Sequence, residues 1–275
     1  MKHVMPQILS LVLFACAALA QPVERPSVTF GIVPQQAAAK LAQLWSPILN
    51  YVGERANCQI VFKTAKDIPT FEERLLAGEY DLSYMNPYHY TVAHAQQGYV
   101  AFARQANKKI RGIIVVRADS PINDLEALDG SEMCFPSPAA FAASILPQAY
   151  LGTRSIEVRP KYVSSHDSVY RNVAMGRYVA GGGIERTLAN VDTSVSNKLR
   201  VLYKTEGYTP HAFAAHPRID SAQVEAIGRV LYEMASDSLG AVLLQSIQFA
   251  GLEQAQNADW DDIRALQIDK ILGKD

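Results

Sequence analysis

The sequence predicts an α/β protein of two lobes, each a mainly parallel sheet flanked by helices, joined by a hinge that the chain crosses twice. Three observations carry that prediction. Short apolar strand patterns alternate with helical ones, which favours parallel sheets covered on both faces. A strand at RGIIVVR (111–117) leads through the loop ADSPINDLEALDG into a fresh α/β series, and an extended run, HAFAAHP (211–217), then precedes a long terminal helical pattern. Lobe 1 is expected to hold 27–108 and 216–275, and lobe 2 to hold 109–215. Two crossings between such lobes make a hinge and a cleft.

The opening MKHVMPQILSLVLFACAALAQPVERP has Lys2, an apolar run from Ile8 to Ala20 and the small residues Ala18-Leu19-Ala20. Residues 1–20 therefore read as a secretory signal peptide for export. LFAC loosely resembles a lipobox, so lipid anchoring at Cys16 is the alternative, although Phe14 fits that pattern poorly. The formal charge of −1 becomes −2 when Lys2 leaves with the leader, and no basic run follows. Nucleic acid is not expected as a partner.

Strand candidates follow at 27–33, 58–63, 80–86, 99–104, 111–117, 131–135, 156–163, 178–183 and 198–204, with helical patterns at 36–56, 68–78, 140–152 and 168–176. Cys58 and Cys134 sit in strand-like runs, CQIVF and MCF. Two cysteines are too few for a disulfide scaffold; buried thiols are the ordinary reading, with a single bridge or a reactive thiol as alternatives. Ligands in open α/β sheets bind beyond the carboxyl ends of strands. That rule singles out GIVPQQ (31–36), SYMNPYHY (83–90), FPSPAAF (135–141), SSHDS (164–168) and AGGGIERT (180–187).

Each of these segments offers particular chemistry. Gln35 and Gln36 bring amides to the first strand end, and Tyr84 offers a hydroxyl or a stacking face. Asn86 before Pro87 suits either turn formation or recognition. Ser137 with Pro138 reads as a helix start, whose free amides and dipole favour an anion. Gly181, Gly182 and Gly183 read as a ligand-facing turn that permits close backbone approach. Ser165 and Ser164 offer hydroxyls, while Tyr208 and His211 flank the return crossing.

Together, GIVPQQAAAKLAQLWSPILNYV, DLSYMNPYHYTVA, LEALDGSEMCFPSP, YVSSHDSVYRNVAMGR and YTPHAFAAHPRI resemble the periplasmic phosphate/phosphite/phosphonate-binding components of ABC transporters. The resemblance covers nearly all of 27–245. It implies a type II periplasmic binding protein that closes on a small-molecule ligand and presents it to an ABC permease; some relatives serve a membrane sensor kinase instead. It also implies a monomer without cofactor or metal, and matches the family's aromatic and histidine positions to Tyr90 and His166.

The resemblance is uneven where family members carry a serine-threonine-serine run. This chain has PSPAAF, keeping Ser137 but placing Pro138, Ala139 and Ala140 where hydroxyls are expected, with Phe141 as an apolar wall. Losing two charged hydrogen bonds costs roughly two to four decades of affinity. A small polar or singly anionic organic ligand is therefore expected in preference to phosphate. The acids that hold amino-bearing phosphonates in relatives are also absent from the triple glycine, where Glu185 is the nearest carboxylate, followed by Arg186 and Thr187.

Enzyme chemistry is not expected. Ser137, His166 and Asp167 supply hydrolase residue types, but GxSxG is absent. His89 and His94 are five apart, which does not match the HExxH spacing of a metal site.

Overall fold

The computed structural model describes residues 25–268. The signal peptide expected at 1–20, Cys16 within it and residues 269–275 lie outside the described residues. Among the described residues eleven strands form two sheets: β1 (Ser27–Ile32), β2 (Gln59–Lys63), β3 (Leu82–Met85), β4 (Val100–Gln105), β5 (Ile113–Arg117), β6 (Glu132–Phe135), β7 (Arg159–Tyr162), β8 (Ala180–Gly183), β9 (Leu199–Lys204), β10 (Ala212–Ala215) and β11 (Leu252–Gln254). All nine strand candidates contain a strand. The first sheet has the order β11-β4-β10-β3-β1-β2 and the second β7-β6-β8-β5-β9.

Both sheets are mixed rather than mainly parallel. β1 runs parallel to β2 and β3, whereas β10 runs antiparallel to β3 and β4. In the second sheet β6 runs parallel to β7 and β8, and β5 antiparallel to β8 and β9. Besides the edge strand β11, which runs antiparallel to β4, the strands that run against their neighbours are β5 and β10, which adjoin the two crossings. These two enter each sheet from the edge facing the other, so they must run against the strands that leave by that edge. The crossings themselves pair: Ile110 N donates to Tyr208 O at 2.7 Å and Tyr208 N to Ile110 O at 2.9 Å.

Helices cover the sheets. α1 (Ala38–Arg55) buries Leu41, Trp45, Ile48, Leu49 and Val52, an i, i+4, i+7 stripe, against the first sheet. α2 (Ile68–Leu76) starts at Asp67, whose side chain accepts from Thr70 N, and α3 (Pro87–Gln97) starts at Asn86, which accepts from His89 N. α3 ends at Gly98 with φ 73°, a left-handed cap that glycine alone adopts without strain. In the second sheet, α4 (Leu146–Thr153), α5 (His166–Ala174) and α6 (Glu185–Asn190) follow β6, β7 and β8. Among the described residues no helix is long and apolar enough to cross a membrane. Cys58 and Cys134 are buried and unbridged; Cys134 has its thiol pushed up to about 12 by burial.

Candidate ligand-binding cleft

The site is built where strand ends of both sheets face each other. Gln35 follows β1, Tyr84 lies near the end of β3, and Asn86 caps α3. Because β10 is antiparallel, its amino end pairs Ala212 with Met85 and brings His211 to the same edge. Across from them, β8 ends at Gly183 and is followed by Ile184, Glu185 and Arg186. Antiparallel β5 pairs Ile113 with Gly183, so Arg111 and the hinge arrive there too.

Direct bonds hold the two sides together. Asn86 Nδ2 donates to Ala139 O at 3.0 Å, and His166 N donates to Gln35 O at 3.2 Å. Arg186 Nη2 donates to Gln35 Oε1 at 2.7 Å and to Tyr84 OH at 3.3 Å. Gln248 Nε2 donates to Asn190 Oδ1 at 2.9 Å. The cleft is therefore closed.

The Gln35 contacts fix protonation around them. Arginine only donates, so Gln35 must turn its oxygen to Arg186 and its NH2 to His211. His211 Nε2, 3.0 Å from Gln35 Nε2, then has to accept, which requires a neutral ring carrying its proton on Nδ1. Burial, then the Arg186 charge, holds His211 well below its usual pKa. The same two causes, in the same order, push His166 down to about 3. Its Nδ1 lies 3.0 Å from Thr187 Oγ1. Both histidines therefore serve as neutral hydrogen-bonding groups at pH 7.

Gln35, Asn86, Ala140, Phe141, His166 and His211 surround a cavity of about 10 Å³. A single water needs about 10–15 Å³, so this closed pocket has no room for a tetrahedral oxyanion. A second cavity, of about 200 Å³, adjoins it toward the hinge and is lined by Tyr84, Lys109, Arg111, Arg186 and His211 among others. Ile110, Ile184 and His211 line both cavities, and Tyr84, which lines the larger one, stacks 4.9 Å and 18° from the His211 ring and 4.8 Å from Trp45.

Several sequence expectations find other roles. Tyr90 does not reach the cleft. Pro87 opens α3, so the strand alternation stops there and Tyr90 turns inward, packing on Trp260 at 4.6 Å. Its hydroxyl donates to Asn257 Oδ1 at 3.1 Å and accepts from Ala101 N at 3.2 Å. Ser165 is the amino-terminal cap of α5, accepting from Ser168 N at 3.1 Å. Gln36 is buried next to Gln35 but does not line either cavity.

The helix expected to start at Ser137 starts later and differently. Residues 136–140 form a turn, and Phe141–Ile145 form a π-helical turn that leads into α4, with no side-chain cap. Ser137 Oγ is buried with no hydrogen-bond partner among the described residues. Pro147 offers no N–H to the Ala143 carbonyl four residues back. Ala139 contributes its carbonyl to Asn86, while Ala140 and Phe141 line the small cavity.

Gly182 and Gly183 lie within β8, not in a turn. A Cβ on Gly182 would sit 1.9 Å from Ala143 O, and one on Gly183 2.3 Å from Tyr170 OH. Gly112 serves likewise under Ala142 O, at 2.1 Å. These glycines let the π-helical turn and α5 press onto the sheet. Arg186 and Arg111 are the site residues that sequence reasoning left out; the signal for Arg186 was its place two residues past the glycine strand.

Residues 30–260 match the family model described as ABC transporter, phosphonate, periplasmic substrate-binding protein. The phosphate-import protein PhnD of Mycolicibacterium smegmatis is 22% identical over 77% of this chain and 72% of its own. PhnD1 of Prochlorococcus marinus in complex with methylphosphonate superposes with a TM-score of 0.82 at 14% identity, covering 90% of this chain and 99% of that one. A binding protein component of an ABC phosphonate transporter from Pseudomonas aeruginosa gives 0.81 at 14% identity, covering 89% and 86%. With two facing sheets, a twice-crossed hinge and a family match over most of its length, the chain belongs to the phosphonate-binding family of periplasmic substrate-binding proteins of ABC transporters.

Proposed function

We propose that the protein is a monomeric, non-catalytic carrier that captures a small organic anion between lobes 27–108 with 216–275 and 109–215, then presents its closed form to an ABC permease. The signal peptide at 1–20 sends it to the periplasm. The observation that carries this reading is the set of bonds from Gln35, Tyr84 and Asn86 to Arg186, His166 and Ala139, which join the two sheets only when the cleft is shut. Hinge closure of this kind is how a binding protein reports an occupied cleft.

Relatives bear the names of phosphate and methylphosphonate proteins, but the ligand here departs from those. The PSPAAF turn brings no hydroxyl cluster, and its cavity of about 10 Å³ leaves no space for a phosphonate. Inorganic phosphate and methylphosphonate are therefore expected to bind weakly at this turn. Small-angle scattering tests closure without the ligand in hand. Replacing Gln35 and Asn86 together by alanine removes bonds on both sides of the clamp, so the variant is expected to have a larger radius of gyration than the wild type. A variant as compact as the wild type would overturn the hinge.

A further inference from the structure

The cavity next to the hinge is more basic than a chain of net charge −1 leads one to expect. Lys108, Lys109, Arg111 and Arg186 line it, against the single carboxylate Glu185. The balance from elsewhere does not reach the two arginines. Glu185 is taken by Lys204 at 2.8 Å, and Lys109 reaches Asp262 at 3.6 Å. Among the described residues neither Arg111 nor Arg186 has a carboxylate within salt-bridge distance, although both are half-buried. Arg111 Nη1 donates to Thr205 O at 2.9 Å and Arg186 to Gln35 and Tyr84, all neutral acceptors.

Two half-buried guanidinium groups without counter-charge are costly unless an anion joins them, and low-dielectric walls focus their field into the space between. We propose that this cavity of about 200 Å³ is the recognition subsite for the charged group of a small organic anion, with Arg111 and Arg186 as the anion contacts and Lys109 adding charge at the rim. The ligand's uncharged part lies toward the stacked rings of Tyr84 and His211, of which His211 also borders the small cavity. Arginine favours bidentate oxyanions, either phosphoryl or carboxylate. The proposal rests on the solute-binding reading and adds where the charge is held.

Isothermal titration with glycerol 3-phosphate, malonate and uncharged glycerol tests it. At least one charged probe is expected to bind, glycerol is not, and the affinity falls with added salt. Arg111→Gln, which lies outside the interlobe bonds, weakens that probe about ten- to a hundredfold, as does Arg186→Gln. Lys161→Gln, which removes one charge of an exposed pair away from the cavity lining, leaves it within about twofold. A phosphoryl group is identified if only glycerol 3-phosphate binds, a carboxylate if only malonate does. A probe whose affinity is unchanged by Arg111→Gln but lost with Asn86→Ala overturns this subsite and leaves the solute-binding reading standing. Failure of both charged probes to bind the wild type at about 1 mM also overturns the subsite. The scattering experiment then judges the carrier reading separately.

Discussion

Acid should loosen this protein through His166. The ring is buried at the start of α5 and held at about 3 by burial and by Arg186. The unfolded chain has a histidine near pKa 6.5, so it binds the proton more readily than the folded protein does. Stability from this residue is complete above about pH 6.5 and is lost as pH falls toward about 3. At pH 5 the loss is about 2 kcal/mol, because each pH unit below the unfolded pKa costs about 1.4 kcal/mol. For a chain of this size that lowers Tm by about 4–8 °C between pH 7.5 and pH 5. His211 is shifted the same way and adds to the loss. Asp167 is raised by burial and works in the opposite sense. Comparing thermal melts of the wild type and His166→Gln isolates the histidine, since glutamine keeps a partner for Thr187 without titrating in this range. The variant is expected to lose less on acidification; an identical pH dependence in both proteins would refute the assignment of a neutral, buried His166.

Two further outcomes follow from the corrected residue roles. Gly182→Ala forces a Cβ to within 1.9 Å of Ala143 O, so urea denaturation should show a loss of at least about 1–3 kcal/mol, and an unchanged midpoint would contradict the close packing of the π-helical turn. Tyr90→Phe removes the hydroxyl that joins Ala101 and Asn257, costing about 1 kcal/mol in stability with ligand affinity unchanged, and a tenfold affinity loss without destabilisation would restore Tyr90 to the cleft.

The architecture was legible because strand and helix periods differ, and every strand candidate had enough β-branched or aromatic residues to stand out between helical stretches. Strand direction was not legible. Alternation predicts parallel neighbours, but β5 and β10 each enter a sheet directly from a crossing, and their antiparallel sense depends on which edge faces the other sheet. The short β11 was missed because LEQ is polar and joins the sheet only by pairing with β4. Tyr90 and the glycines went wrong for one local reason each: a proline converted strand parity to helix phase at Tyr90, and steric demand from a neighbouring carbonyl looks, in sequence, like freedom to turn.

Arg186 shows why the site was harder to read than the fold. Its neighbours in sequence, Glu185 and Thr187, are committed elsewhere, to Lys204 and to the His166–Tyr170 network. Only the residue between them projects across the cleft, and its partners Gln35 and Tyr84 lie 151 and 102 residues away. Gln35 in turn orients His211, so one guanidinium fixes an amide, and the amide fixes a histidine tautomer. Each link is ordinary hydrogen-bond complementarity, but the chain of three spans both sheets. An anion at Arg186 would compete with Gln35 Oε1 for the same donor, and freeing that amide would also release His211. The residue that completes closure is thus the one through which a charged ligand can alter it.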